Sequence, residues 1–85
     1  MSHDIEIHPH ARERAVERGT SETEIVATVE TGEGFVAKHG RTGFRRIVPF
    51  GDIWRGKRYT NKQIEVFAVE ENDRWIIITV LVKFF

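Results

Sequence analysis

The sequence predicts an α+β domain in which two short N-terminal helices pack on one face of a three- to five-stranded, mainly antiparallel sheet. Three observations carry this expectation. Helix formers bounded by cap signals fill residues 8–31, the hydrophobic period shortens from Gly34 onward, and Trp75 to Phe85 is an almost unbroken run of strand formers.

Residues 8–18 read as the first helix. Pro9 suits a first turn, where its missing N–H costs nothing, and Gly19 supplies a left-handed C-terminal cap. Ser21-Glu22-Thr23-Glu24 matches a capping box, in which serine and the third-position carboxylate each satisfy the other's orphan backbone donor. A second helix starts there, with Ile25, Val26 and Val29 on one stripe, and Gly32 and Gly34 stop it. On this reading two helices precede all the strands.

Phe35–Lys38 and Phe44–Val48 are the first two β-prone runs, joined by a hairpin loop at residues 39–43. Pro49, Gly51 and Asp52 are expected to end the second run, and residues 51–59 read either as a loop carrying Trp54 or as a short further strand. From Lys62 to Val69 the chain alternates, with Ile64, Val66 and Ala68 on one side. Residues 70–74 form a polar turn in which Asn72-Asp73 tolerates positive φ. The last strand carries Ile76, Ile78, Val80, Val82 and Phe84 on an apolar side, so the helices are expected over Ile64, Val66, Ile78 and Val80.

With 85 residues there is room for one core, so residues 1–85 read as a single domain. The absence of cysteine excludes disulfides, thiolate metal sites and cysteine nucleophiles, and fits a cytoplasmic protein. The first residues, with acids and a histidine, lack the basic and apolar regions of an export signal, and no apolar run is long enough for a membrane span. Thirteen basic residues balance thirteen acidic ones, so no whole-molecule field draws nucleic acid. The distribution is uneven: Lys38, Arg41, Arg45, Arg46, Arg55, Lys57, Arg58 and Lys62 face only Asp52 as an acid in the same stretch.

Two constellations point to chemistry. His10, Arg14 and Arg18 recur every four residues and so form one row along the first helix, beside Ala11 and Ala15. An imidazole that moves a proton beside guanidinium forks that hold phosphoryl oxygens suits phosphodiester chemistry without a metal. The structural alternative is pairing of Arg14 and Arg18 with Glu13, Glu17, Glu22 or Glu24, and His10 satisfying backbone at the helix entrance. The second constellation is the basic middle segment, where cations interleave with Phe44, Phe50, Trp54 and Tyr59 as on a single-stranded RNA surface. Arg45 and Arg46 should point to opposite sheet faces. His3, His8 and His10 resemble a metal set only superficially, since no cysteine joins them in the terminal segment, and no metal or cofactor is expected.

His10-Ala11-x-x-Arg14-x-x-x-Arg18-Gly19, then Ser21 and Glu24-Ile25, then a closing Ile78-Thr79-Val80, resembles a bacterial and archaeal family of domains of unknown function similar to RelE-type and BrnT-type ribonuclease toxins. The resemblance implies an α-then-β domain and metal-independent RNA cleavage. Carried over by position, it implies His10, Arg14 and Arg18 as catalytic residues, with Thr79 joining Arg41, Arg45, Arg46 and Arg58 as the RNA-binding set. It also implies an antitoxin-like protein partner. The competing expectation is a non-catalytic interaction module or homodimer built on the last strand, whose Phe84 and Phe85 need covering by protein.

Overall fold

The computed structural model describes residues 3–85. The chain runs β1 (Asp4–Ile7), α1 (Pro9–Arg18), α2 (Glu22–Thr31), β2 (Glu33–Val36), β3 (Thr42–Trp54), β4 (Lys57–Glu71) and β5 (Arg74–Phe84). The strands form one five-stranded sheet in the order β1-β5-β4-β3-β2. All neighbours are antiparallel except β1, which runs parallel to β5 with Ile5 opposite Trp75 and Ile7 opposite Ile77. The expected α+β class holds, with one correction: a strand comes before the helices.

Both helices lie on one face of the sheet. Ala11 and Ala15 of α1 and Ile25 and Thr28 of α2 are buried against Phe44, Ile64, Val66, Ala68, Ile77 and Val80, with Ile7 completing the core. Alanine at the α1 contact lets the helix backbone come close to β5. The Thr28 hydroxyl, fully buried, donates to the Glu24 carbonyl one turn back at 2.7 Å, so that hydroxyl is not stranded.

Local signals set the helix ends. The Ser21 side chain accepts from the Glu24 N–H, and Gly19, at φ +83°, closes α1 with Thr20 N–H donating to the Ala15 carbonyl. The capping box is only half made, because the Glu24 carboxylate turns away from Ser21 to accept from Thr20 Oγ1 and Lys62 Nζ. A buried ammonium outbids a backbone donor that water can serve.

Three strand expectations need correction. Pro49 does not end β3, which passes through a register irregularity between Pro49 and Asp52 and continues to Trp54. The stretch that read as a loop or a short strand is the far end of a long hairpin, turning at Arg55-Gly56 with both residues at positive φ. In β5 a second irregularity puts Ala68 opposite Ile77 and Phe67 opposite Thr79, so Ile77, and not Ile78, is the buried core residue. The Asn72-Asp73 turn, with φ of +52° and +60°, is as expected.

β1 pairs only with Arg74–Ile77, and α1 then follows β5 toward its C-terminal end. His8 N–H donates to the Ile77 carbonyl, Arg18 to the Val80 carbonyl, and a Cβ on Gly19 would meet Phe84 at 3.0 Å. The helix thus protects a strand edge that β1 leaves uncovered. Phe84 is enclosed within the chain, stacked on Trp54 and flanked by Phe50 and Tyr59. Of the two closing phenylalanines, only Phe85 is largely exposed.

Candidate functional site

The α1 row forms, but its members are engaged unequally. The Arg14 Nε–H points at His10 Nε2 at 3.4 Å, which uses the imidazole lone pair, and Arg14 Nη1 reaches Glu17 at 3.3 Å. Arg18 turns the other way and donates to the Val80 carbonyl at 2.5 Å. His10 is exposed, and Arg14 and Arg18 are half-buried. His8, not His10, serves the helix entrance, its Nδ1 accepting from the His10 N–H at 3.2 Å. The terminal imidazoles go to separate partners, with His3 on Glu70 and stacked on Trp75. Among the described residues no cluster of three or more metal-ligating side chains forms.

What joins this row is the tip of the β3–β4 hairpin. Arg55 Nη2 donates to the Glu17 carbonyl at 2.8 Å, and the guanidinium lies over the Trp54 ring, 5.2 Å from its centroid. Trp54 in turn stacks on Phe84 with ring centroids 5.0 Å apart and lies flush against Gly19. Lys57, opposite Trp54 in the register, sits over Tyr59 at 5.5 Å. The contact between tip and helix end sets Arg55, Lys57, Trp54 and Tyr59 beside the C-terminal half of α1, where Arg14 and Arg18 are. Cations over aromatic rings that pack on a glycine make a semi-rigid basic surface.

The RNA-binding set expected from sequence does not assemble as one surface. Arg41 precedes β3 at one end of the long hairpin, and Arg58, opposite Ile53, lies near the other. Arg46 shares the helix-covered side with Ile64, whereas Arg45 projects from the other face. There its Nε donates to Glu65 at 2.7 Å and its guanidinium lies over Phe35 at 4.6 Å. Thr79 is on the Arg45 side, opposite Phe67. Arg55 and Lys57 belong to the basic segment that composition singled out, but their approach to α1 depends on a tip turn whose Arg-Gly sequence lacks the usual Asn or Asp signal.

A cleft of about 810 Å³ lies elsewhere, between β1 and the two helices, lined by Glu6, Arg12, Glu22, Glu30 and Arg74 among others. Its guanidiniums are already paired, Arg12 with Glu22 at 3.2 Å and Arg74 with Glu6 at 3.5 Å. None of the expected site residues lines it.

Residues 7–82 match the model of DUF4258, a domain of unknown function. The chain belongs to the DUF4258 family. No curated protein and no solved structure matches it. The matched span of this DUF4258 domain takes in α1, α2, β2, β3 and β4 whole and β5 as far as Val82. Family membership brings no activity with it, and none of these comparisons shows a likeness to RelE-type or BrnT-type toxins. Among the described residues no helix is long and apolar enough to cross a membrane.

Proposed function

We propose that this DUF4258 domain is a cytoplasmic RNA-contacting module whose binding surface is the junction of the β3–β4 tip with the C-terminal half of α1. The observation that carries the reading is the Arg55 to Glu17 contact, which brings two sequence-distant basic features together. Arg14, Arg18, Arg55 and Lys57 supply phosphate contacts, and as Arg55 and Lys57 swing onto phosphates they would give up the outer ring faces of Trp54 and Tyr59 to unpaired bases. Such a surface would hold single-stranded RNA mainly through charge and stacking, with little sequence preference.

The RelE/BrnT-type resemblance extends this to metal-independent cleavage. His10 would accept the ribose 2′-hydroxyl proton as that oxygen attacks the adjacent phosphorus, the 5′-oxygen leaving with a proton taken from solvent. Arg14, which donates to His10 Nε2 in the free protein, would move onto the phosphoryl oxygens and so release that lone pair for the 2′-hydroxyl proton. An acidic antitoxin-like protein would be the natural partner of the same basic surface.

The test is binding of a fluorescent single-stranded oligoribonucleotide across a salt series, followed by incubation with RNA in the presence of chelator. Binding should weaken with salt, and Arg55→Ala with Lys57→Ala should lower affinity tenfold or more and flatten the salt slope by about two. RNA affinity that is absent at low salt, or untouched by the double variant, would overturn the surface. Cleavage that persists in His10→Ala would remove that residue's role while leaving the binding surface standing.

A further inference from the structure

Among the described residues nothing covers the face of the sheet opposite the helices. Residues that alternate with the core positions point there: Phe35 on β2, Arg45, Ile47 and Pro49 on β3, Gln63, Glu65, Phe67 and Val69 on β4, and Ile76, Leu81 and Lys83 on β5. Ile47 is 56% exposed and Leu81 44%, while Phe35, Phe67, Val69 and Ile76 are half-buried only by their own neighbours. A large apolar surface left to water on a small domain normally marks an interface.

We infer that this face is a homodimer interface, in which a second copy of the same chain packs sheet against sheet. Charge argues for a copy over nucleic acid or a charged partner. Arg45 is paired with Glu65 at 2.7 Å, and Glu33 opposite Arg45 and Lys83 opposite Gln63 add one charge of each sign, so these four charges on the face cancel. A two-fold axis sets identical patches against each other, and a balanced face meets its own image without repulsion. The zero net charge of the chain adds no long-range barrier to self-association.

Size agrees. The molecule measures 42 by 23 Å across its longer axes, and a 15-residue strand needs the long one, so the face offers at most on the order of 900 Å². Stable interfaces bury roughly 800 Å² per partner. Packed sheets stand about 10 Å apart, a gap that Ile47, Phe67 and Leu81 side chains from both copies fill. This surface is separate from the basic junction at the hairpin tip, so its fate does not depend on RNA contact.

Sedimentation equilibrium from micromolar to millimolar protein tests the inference. Twice the 9.9 kDa chain mass is expected, and Ile47→Asp with Leu81→Asp should give a monomer with unchanged circular dichroism. Val36→Asp, at a position 95% exposed on β2 outside this face, should leave the dimer intact. Should the double aspartate variant fail to fold, Ile47→Thr with Leu81→Thr keeps strand propensity and should raise the dissociation constant at least tenfold. A wild-type monomer at millimolar concentration would overturn the interface. So would a dissociation constant that the threonine pair does not move.

Discussion

The ammonium of Lys62, on β4, lies 2.7 Å from Glu24 Oε1, on α2, and 3.0 Å from the carbonyl of Gly19, so one side chain ties the turn between the helices to the sheet. Lys62 is 7% exposed and the Glu24 carboxylate also accepts from Thr20 Oγ1 at 2.9 Å. The Phe50 ring covers the remaining side of the ammonium at 5.6 Å.

Truncating Lys62 should cost more than replacing its amine by an apolar group of the same length, because both variants lose the ion pair but only truncation opens a cavity. Lys62→Ala leaves Glu24 without its charge partner and opens space beneath Phe50, and should lower unfolding free energy by about 2–4 kcal/mol. Lys62→Met fills the same volume and should recover at least half of that loss. Urea denaturation of the two variants checks the order, and equal losses would show that the cost lies in the lost ion pair and not in packing.

Gly19 is the second fixed point of the same corner. Its φ of +83° disfavours any side chain, and an added Cβ would stand 2.9 Å from Trp54 and 3.0 Å from Phe84. Gly19→Ala should therefore destabilise by about 2 kcal/mol or more, above the roughly 1 kcal/mol of a strained left-handed residue. Because the displaced group is the Trp54 indole, near-UV circular dichroism and tryptophan emission should change in the folded variant. The tip surface would loosen with them.

These two residues show what the chain reveals before its structure and what it hides. Gly19, Ser21 and Asn72-Asp73 act within a few residues of themselves, so their cap and turn roles are readable from spacing alone. The pairing of Asp4–Ile7 with Arg74–Ile77 is not, since a four-residue strand carries little pattern and its partner lies at the far end of the chain. The irregularity at Ile78 shifts the alternation by one residue, so Ile77 replaces it in the core. The α1 row was visible because helical phase is local. Its junction with Arg55 was not, because it depends on a 13-residue β3 running past Pro49 and a turn without a recognisable signature.

Arg14 and Arg18 should separate when substituted, although both stand in the row. Arg18 donates to the Val80 carbonyl on a strand edge that β1 does not reach. Arg18→Met keeps the apolar stem and removes the donor, so it should cost about 1–2 kcal/mol of stability. Arg14, held by an exposed pair with Glu17 at 3.3 Å, should change stability by less than about 0.5 kcal/mol as Arg14→Ala. RNA affinity should fall in both. Thermal melts without RNA distinguish them, and equal melting temperatures would deny Arg18 its structural part.

The turn between β4 and β5 offers a change in the opposite direction. Asn72 and Asp73 adopt φ of +52° and +60°, the two-residue geometry that matches the twist of antiparallel strands. Asparagine tolerates the first position, but at the second glycine is the preferred residue, and aspartate there pays a backbone penalty and adds charge beside Glu70 and Glu71. Asp73→Gly should raise unfolding free energy by about 0.5–1 kcal/mol, the steric relief exceeding the entropy added to the unfolded chain. The gain should appear as a shifted urea midpoint with an unchanged slope, because the surface exposed on unfolding is the same. A lower midpoint would mean that the Asp73 side chain holds the turn closed.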